Sequence, residues 1–241
     1  MHLTTLTHGI WNSSGSVVFT ELAADCGFDW VLLDMEHGQI TDDSLYPHLL
    51  ALKGTPTKGI VRIGDITPNL ISRALDWGAA GIMAPHVSTP QKALECIRCM
   101  YYPPDGVKGY SSSARRYHFG LDRPDIENFK PIFMAQIEDT AGIENAHAIA
   151  AIPEVTALFI GPSDLSLHLS ANPQWDFQNA LEHIAKTTRL AGKQAGILLK
   201  KAGELPVMLQ LGYTCIAVGS DVGFLRNAMV ESLSGFKSPE S

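Results

Sequence analysis

The chain has 241 residues, 45% of them hydrophobic, and a formal net charge of −7. That apolar content supports a large buried core at a length near the roughly 250 residues of a β/α barrel, so a single domain over 1–241 is expected. The acidic balance argues against a nucleic-acid partner, and no apolar run reaches membrane-spanning length.

The segment Met1–Thr7 lacks the basic stretch and long apolar core of a secretion signal, so a cytoplasmic protein is expected. Four cysteines are too few for a disulfide framework at this size. Cys96 and Cys99 are three apart in a helical stretch with no second pair at ligand spacing, and they read as ordinary thiols.

Along the chain, short β-rich apolar runs alternate with amphipathic stretches. His8–Trp11 is followed by a helix over Ser16–Ala24, Trp30–Asp34 by Asp43–Lys53, Gly59–Ile63 by Pro68–Trp77, and Gly81–Ala84 by Pro90–Met100. Ile132–Ile137 is followed by Ala141–Ala151, Ala157–Ile160 by Phe177–Ala191, Gln194–Leu198 by Ala202–Leu211, and Cys215–Val218 by Asp221–Leu233. Eight such units predict an α/β fold, a (β/α)8 TIM barrel with a parallel sheet. Pro68 suits a helix's first turn, Asp42 and Thr89 suit N-caps, and Gly78, Gly192 and Gly212 stand where helices end. One connection, Tyr101 to Phe129, is much longer than the others and should run partly over the bottom face. A polar tail follows Phe236.

In a barrel of this class reactive groups stand at the C-terminal ends of the strands. Here those ends carry Asp34-Met35-Glu36-His37, Arg62, Gln136-Ile137-Glu138 and Gly161-Pro162-Ser163-Asp164. Glu138 and Asp164 come from adjacent strands, and a carboxylate pair completed by water and substrate oxygens suits a hard divalent cation such as Mg2+ or Mn2+. The plainer alternative makes Glu138 a surface ion-pair partner and Asp164 the cap of a helical segment starting at Leu165. His37 follows Asp34 by three positions, and a carboxylate accepting one ring N–H would leave the other nitrogen as a general base. A histidine merely packed at the barrel mouth is the alternative. Glu36, between them, is expected to point away. Arg62 suits an anionic substrate oxygen, or an ion pair with Asp34 or Glu138. The turn Gly161-Pro162-Ser163 can present the N–H groups of Ser163 and Asp164 to a carboxylate.

These segments, together with Trp77-Gly78-Ala79-Ala80-Gly81, Tyr102-Pro103-Pro104-Asp105-Gly106-Val107-Lys108-Gly109 and Ala217-Val218-Gly219-Ser220-Asp221, resemble the HpcH/HpaI family of metal-dependent class II pyruvate aldolases. The resemblance implies a barrel of the phosphoenolpyruvate/pyruvate superfamily and reversible cleavage of a 4-hydroxy-2-oxo acid to pyruvate and an aldehyde. It implies a divalent metal (Mg2+ or Mn2+, or Co2+) on Glu138 and Asp164, and pyruvate held by Arg62 and the Gly161, Pro162, Ser163, Asp164 turn. Gln136 would lie close to the metal, and Asp34 with His37 would move the substrate-hydroxyl proton through water. It further implies a homohexamer of three dimers that exchange the last helix, with Asp76 approaching a neighbour's site. Two positions depart from the family pattern: Gly64 stands soon after Arg62 where proline is common, and Lys108 replaces a commoner arginine.

Other functions fit parts of the pattern. A Schiff-base aldolase would need a lysine at a strand end, and Lys200 is the one placed candidate. Related barrels cleave citramalyl or malyl thioesters or condense an acetyl unit with oxaloacetate. A barrel that binds a keto acid without turnover is the non-enzymatic reading.

Overall fold

In the computed structural model eight parallel strands hydrogen-bond in sequence order and close into a barrel. Residues 5–236 are described. The polar tail after Phe236 and the first four residues of the N-terminal segment lie outside them. The strands are β1 (Thr7–Asn12), β2 (Trp30–Asp34), β3 (Lys58–Arg62), β4 (Gly81–Ala84), β5 (Ile132–Ile137), β6 (Ala157–Ile160), β7 (Gln194–Leu198) and β8 (Tyr213–Ser220). The helices are α1 (Val17–Asp25), α2 (Asp42–Ala51), α3 (Pro68–Asp76), α4 (Pro90–Met100), α5 (Thr140–Ala150), α6 (Pro162–Ala171), α7 (Phe177–Leu190), α8 (Leu205–Leu211) and α9 (Asp221–Ser234).

The expected order of units is present with one addition. Gly161 is the N-cap of α6 and Pro162 fills its first turn, so this helix starts before Leu165 and β6 is followed by two helices, α6 and α7. Thr89 caps α4 as expected, accepting the Lys92 N–H. At α2 the cap is Thr41, whose N–H is taken by Ser44 Oγ, and Asp42 is the first helical residue.

Strand geometry divides the core into two layers, because successive side chains of a strand point to opposite faces. Trp11, Trp30, Leu32, Ile60, Met83, Met134 and Phe159 fill the barrel interior, while Val31, Leu33, Val61, Phe133 and Ile137 pack outward against the helices. Trp11 and Trp30 both lean on Phe159, with ring centroids 5.6 and 6.0 Å apart. A Cβ at Gly9 would stand 2.1 Å from the Trp30 ring, so only glycine lets that indole close the interior. Full burial of each large side chain stabilises the fold by about 1.5–3 kcal/mol.

The inward rows continue upward as polar residues. Trp30 and Leu32 lead to Asp34, Ile60 leads to Arg62, and Met134 leads to Gln136 and Glu138. The strand repeat that builds the core thus aims these side chains into the barrel mouth.

The long connection crosses the opposite end of the barrel, as expected. A 3-10 turn at Arg115–Gly120 places Arg115 on the carbonyls of Leu49 and Trp77, and Arg116 on those of Leu75 and Ala79. The Leu49, Leu75 and Trp77 carbonyls belong to the C-terminal ends of α2 and α3, where cations are favoured by the helix dipole, and that of Ala79 to the turn after α3. All four cysteines are free, and burial pushes the Cys96 thiol well above its ordinary range. No described helix is long and apolar enough to cross a membrane.

Candidate active site

Asp34 is the most heavily engaged group at the mouth. Its carboxylate accepts Arg62 Nε at 3.0 Å and an Arg62 terminal N–H at 2.7 Å. Trp11 Nε1 donates to it at 3.3 Å, and the backbone N–H groups of Glu36 and His37 donate at 3.1 and 3.2 Å. Burial alone would raise its pKa. The bidentate hydrogen bonds and charge of Arg62, with the two amides, outweigh burial and hold the carboxyl below its usual value. The guanidinium also lies over the Trp11 ring, 5.1 Å from its centroid.

Two expectations are corrected here. Asp34 does not hold the His37 ring: it accepts that residue's backbone N–H instead, and the ring lies 65% exposed above it. The reason is the turn after β2, whose amides fold back onto Asp34 Oδ1, while Arg62 and Trp11 occupy Oδ2, so neither oxygen is left for an imidazole. Glu36 does not point away. Its Oε2 forms an ion pair with Arg62 at 2.8 Å, and its Oε1 stands 3.9 Å from His37 Nε2 and 3.5 Å from His86 Nε2. The carboxylate facing His37 is therefore Glu36. The strand repeat contains this signal, since Trp30, Leu32, Asp34 and Glu36 form one alternating row.

Across the mouth, Glu138 is buried and accepts Gln136 Nε2 at 2.7 Å and the His86 backbone N–H at 3.0 Å. Burial, reinforced by the charges of Glu36 and Asp164, raises its pKa, and His86 offsets only part of that. The other end of the Gln136 amide, Oε1, is buried without a partner. His86 was not among the residues expected here. It follows β4 with φ of 52°, a left-handed conformation that turns its ring to within 3.1 Å of Glu138 Oε2.

At α6, Pro162 supplies no N–H, so the first free amides of the helix are those of Ser163 and Asp164. Gly161 lets this turn come close to the carboxylate: a Cβ there would stand 2.2 Å from Glu138 Oε1. Trp11, His37, Arg62, Gln136, Gly161 and Asp164 line one cavity of about 200 Å3, together with Pro162 and Ser163. Arg62 and the α6 amides give this cavity N–H donors and Asp164 gives it a carboxylate, with Glu138 behind Gly161, an arrangement suited to a small anion beside a cation.

Asp76 is not at this site. It ends α3, at the far end of the barrel, where its carboxylate is ion-paired with the buried Lys108 ammonium. Burial lowers the Lys108 pKa, against the opposing pull of Asp76. Lys200 is exposed, which removes the desolvation a Schiff-base lysine relies on.

The sequence profile described as HpcH/HpaI aldolase/citrate lyase matches residues 7–228. A 5-keto-4-deoxy-D-glucarate aldolase from Klebsiella pneumoniae is 36% identical over 235 residues, covering 95% of this chain and 91% of that protein. An HpcH/HpaI aldolase/citrate lyase family protein from Burkholderia cenocepacia superposes with a TM-score of 0.90 at 30% identity, covering 98% of this chain and 96% of that one. The citrate synthase SbnG shares the fold, with a TM-score of 0.81 at 23% identity over 96% of this chain and 93% of its own.

Proposed function

This chain belongs to the HpcH/HpaI aldolase/citrate lyase family, and on that premise we propose that it is a divalent-metal-dependent aldolase reversibly cleaving a 4-hydroxy-2-oxo acid to pyruvate and an aldehyde. The observation that carries this reading is the cavity in which Arg62, fixed by two carboxylates, faces Asp164 and the first amides of α6.

The donor set fits a hard cation. Glu138 and Asp164 supply oxygen ligands, their mutual repulsion is relieved by a cation, and the unpartnered Gln136 Oε1 marks a polar spot with room for a donor such as bound water. Among the described residues no three His, Cys, Asp or Glu side chains form a cation cage, so substrate and water oxygens would complete the shell. Mg2+ or Mn2+ suits such ligands, with Co2+ as a substitute. When bound, the cation acts as a Lewis acid on the 2-oxo acid.

The protein's own groups do the rest. The Ser163 and Asp164 amides hold the substrate carboxylate at the positive end of α6. Arg62 has committed Nε and one terminal N–H to Asp34, and its other terminal nitrogen is ion-paired with Glu36; its remaining N–H groups stabilise the keto oxygen as it gains charge. In cleavage, His37 takes the 4-hydroxyl proton, directly or through water. The C3–C4 bond breaks, its electron pair enters the pyruvate enolate, the aldehyde departs, and C3 takes a proton to give pyruvate.

An assembly belongs to the same reading. On α9 only Asp221 is buried, while Phe224, Leu225, Met229, Val230 and Leu233 are exposed, which supports exchange of this helix between subunits in a homohexamer. Asp76, at the far end of its own barrel, then serves a neighbour's site. A cytoplasmic location agrees with four free cysteines.

The test is incubation of Mg2+- or Mn2+-loaded enzyme with pyruvate and succinic semialdehyde, glycolaldehyde, lactaldehyde or tartronate semialdehyde, followed by product analysis. Aldol products that vanish with EDTA and return with metal are expected. Full activity in EDTA with borohydride trapping of a lysine adduct would overturn the reading, as would turnover of thioesters alone.

A further inference from the structure

A second charged cavity lies at the opposite end of the barrel. It measures about 350 Å3 and is lined by Lys53, Lys58, Arg115 and Arg116, and no aspartate or glutamate lines it. In a chain of net charge −7 this is a concentrated exception. Among the described residues none of these four cations has a carboxylate within ion-pair distance. His118 also lines the cavity, and its partner Asp122 does not.

The guanidinium groups are fixed in place. Arg115 is pinned through both terminal nitrogens to helix-end carbonyls, and Arg116 through Nε and one terminal nitrogen. Carbonyls orient a guanidinium without neutralising it. Arg115 Nε, the second terminal nitrogen of Arg116 and the ammonium groups of Lys53 and Lys58 make no hydrogen bond among the described residues. Fixed donors lose little freedom on taking a ligand. The adjoining cavity, about 800 Å3, shares Lys58 and Arg116, but Asp29, Asp122 and Asp125 line it as well. Arg123 and Lys130 line the larger cavity too, so three carboxylates there offset most of four cations, whereas the smaller cavity has none to offset its four. Its wall includes His118 and Phe119, non-glycine residues at φ of 46° and 60°.

We propose that this cavity binds a small phosphate-class oxyanion, either inorganic phosphate or the phosphate of a monoester. Tetrahedral oxyanions accept several N–H groups at once, which matches two guanidinium groups and two ammonium groups around a small volume. The site is independent of the chemistry at the rim.

Calorimetric titration of the full-length protein with inorganic phosphate and with glycerol 3-phosphate tests it. The wild type and the rim variant Arg62→Ala should bind alike. Lys58→Gln should weaken binding, and the Lys53→Ala/Lys58→Ala variant should weaken it by about tenfold or more, with an unchanged circular dichroism spectrum and unchanged aldolase turnover in phosphate-free buffer. Tighter binding of the ester would assign an organic ligand and equal binding the free ion, and both uphold the site. No binding, or loss confined to Arg62→Ala, would overturn it. So would absent phosphate binding combined with dissociation of the Lys53→Ala/Lys58→Ala assembly, because a neighbour's acids would then be the occupant.

Discussion

The inner and outer parts of the rim are built differently. Arg62 and Asp34 have side chains 7% and 2% exposed, whereas the imidazoles of His37 and His86 are 65% and 52% exposed. The inner groups end strands and are bonded on several sides; the outer ones sit on loops and touch little besides Glu36 and Glu138. An oxyanion is stabilised best by donors that need no rearrangement, and in the proposed reaction the fixed half is the one that handles the keto acid. The half proposed to meet the aldehyde is open to solvent and to loop change.

Substitutions should separate the two halves. The largest effect is expected for Glu138→Ala, which removes one of the two proposed cation ligands: divalent-metal binding by calorimetry should be lost and turnover should fall by about 10³-fold or more. Retained turnover would break the inner-rim assignment. Arg62→Lys keeps the charge but loses the fork held by Asp34 and Glu36. A fall in kcat of about 10²–10³ is expected, with a lowered melting temperature because two buried carboxylates lose their partner.

His37→Asn should lower kcat by about 10²-fold, with melting unchanged since the ring is exposed. A parallel loss of stability would show that the outer rim is as fixed as the inner. His86→Ala should alter the preference among aldehydes by about tenfold or less, read as ratios of kcat/KM, with the pyruvate KM constant.

Acid supplies the smallest test. The folded-state pKa of Asp34 is held below its ordinary value of 3.8, so its ionised form favours the fold. That contribution is complete above 3.8 and is lost as pH falls through the lower folded value. In Asp34→Asn, melting curves should fall less steeply than in the wild type over that acid range and show no difference in slope near neutrality.

Most of the inner rim was legible in the sequence because strands alternate. Asp34, Arg62, Gln136 and Glu138 extend rows that begin as Trp30, Ile60 and Met134. The same rule places Glu36 inward, and the contrary expectation came from pairing His37 with Asp34 by spacing alone. His86 was not legible: strand alternation turns it outward with Ala84, and a left-handed backbone brings it back. Helix α6 was underread because its first turn, Gly161-Pro162-Ser163, looks like a loop.

The eight-fold alternation, the ordered motifs and the polar strand ends were set by local sequence, since hydrophobic period and turn residues act over a few positions. Which carboxylate faces which imidazole, how Asp34 shares its oxygens between Arg62 and two amides, and where four cations from the α2–β3 turn, β3 and the long connection meet were decided only by closure of the barrel. Such contacts join residues far apart in the chain, and their geometry depends on packing that no single segment contains.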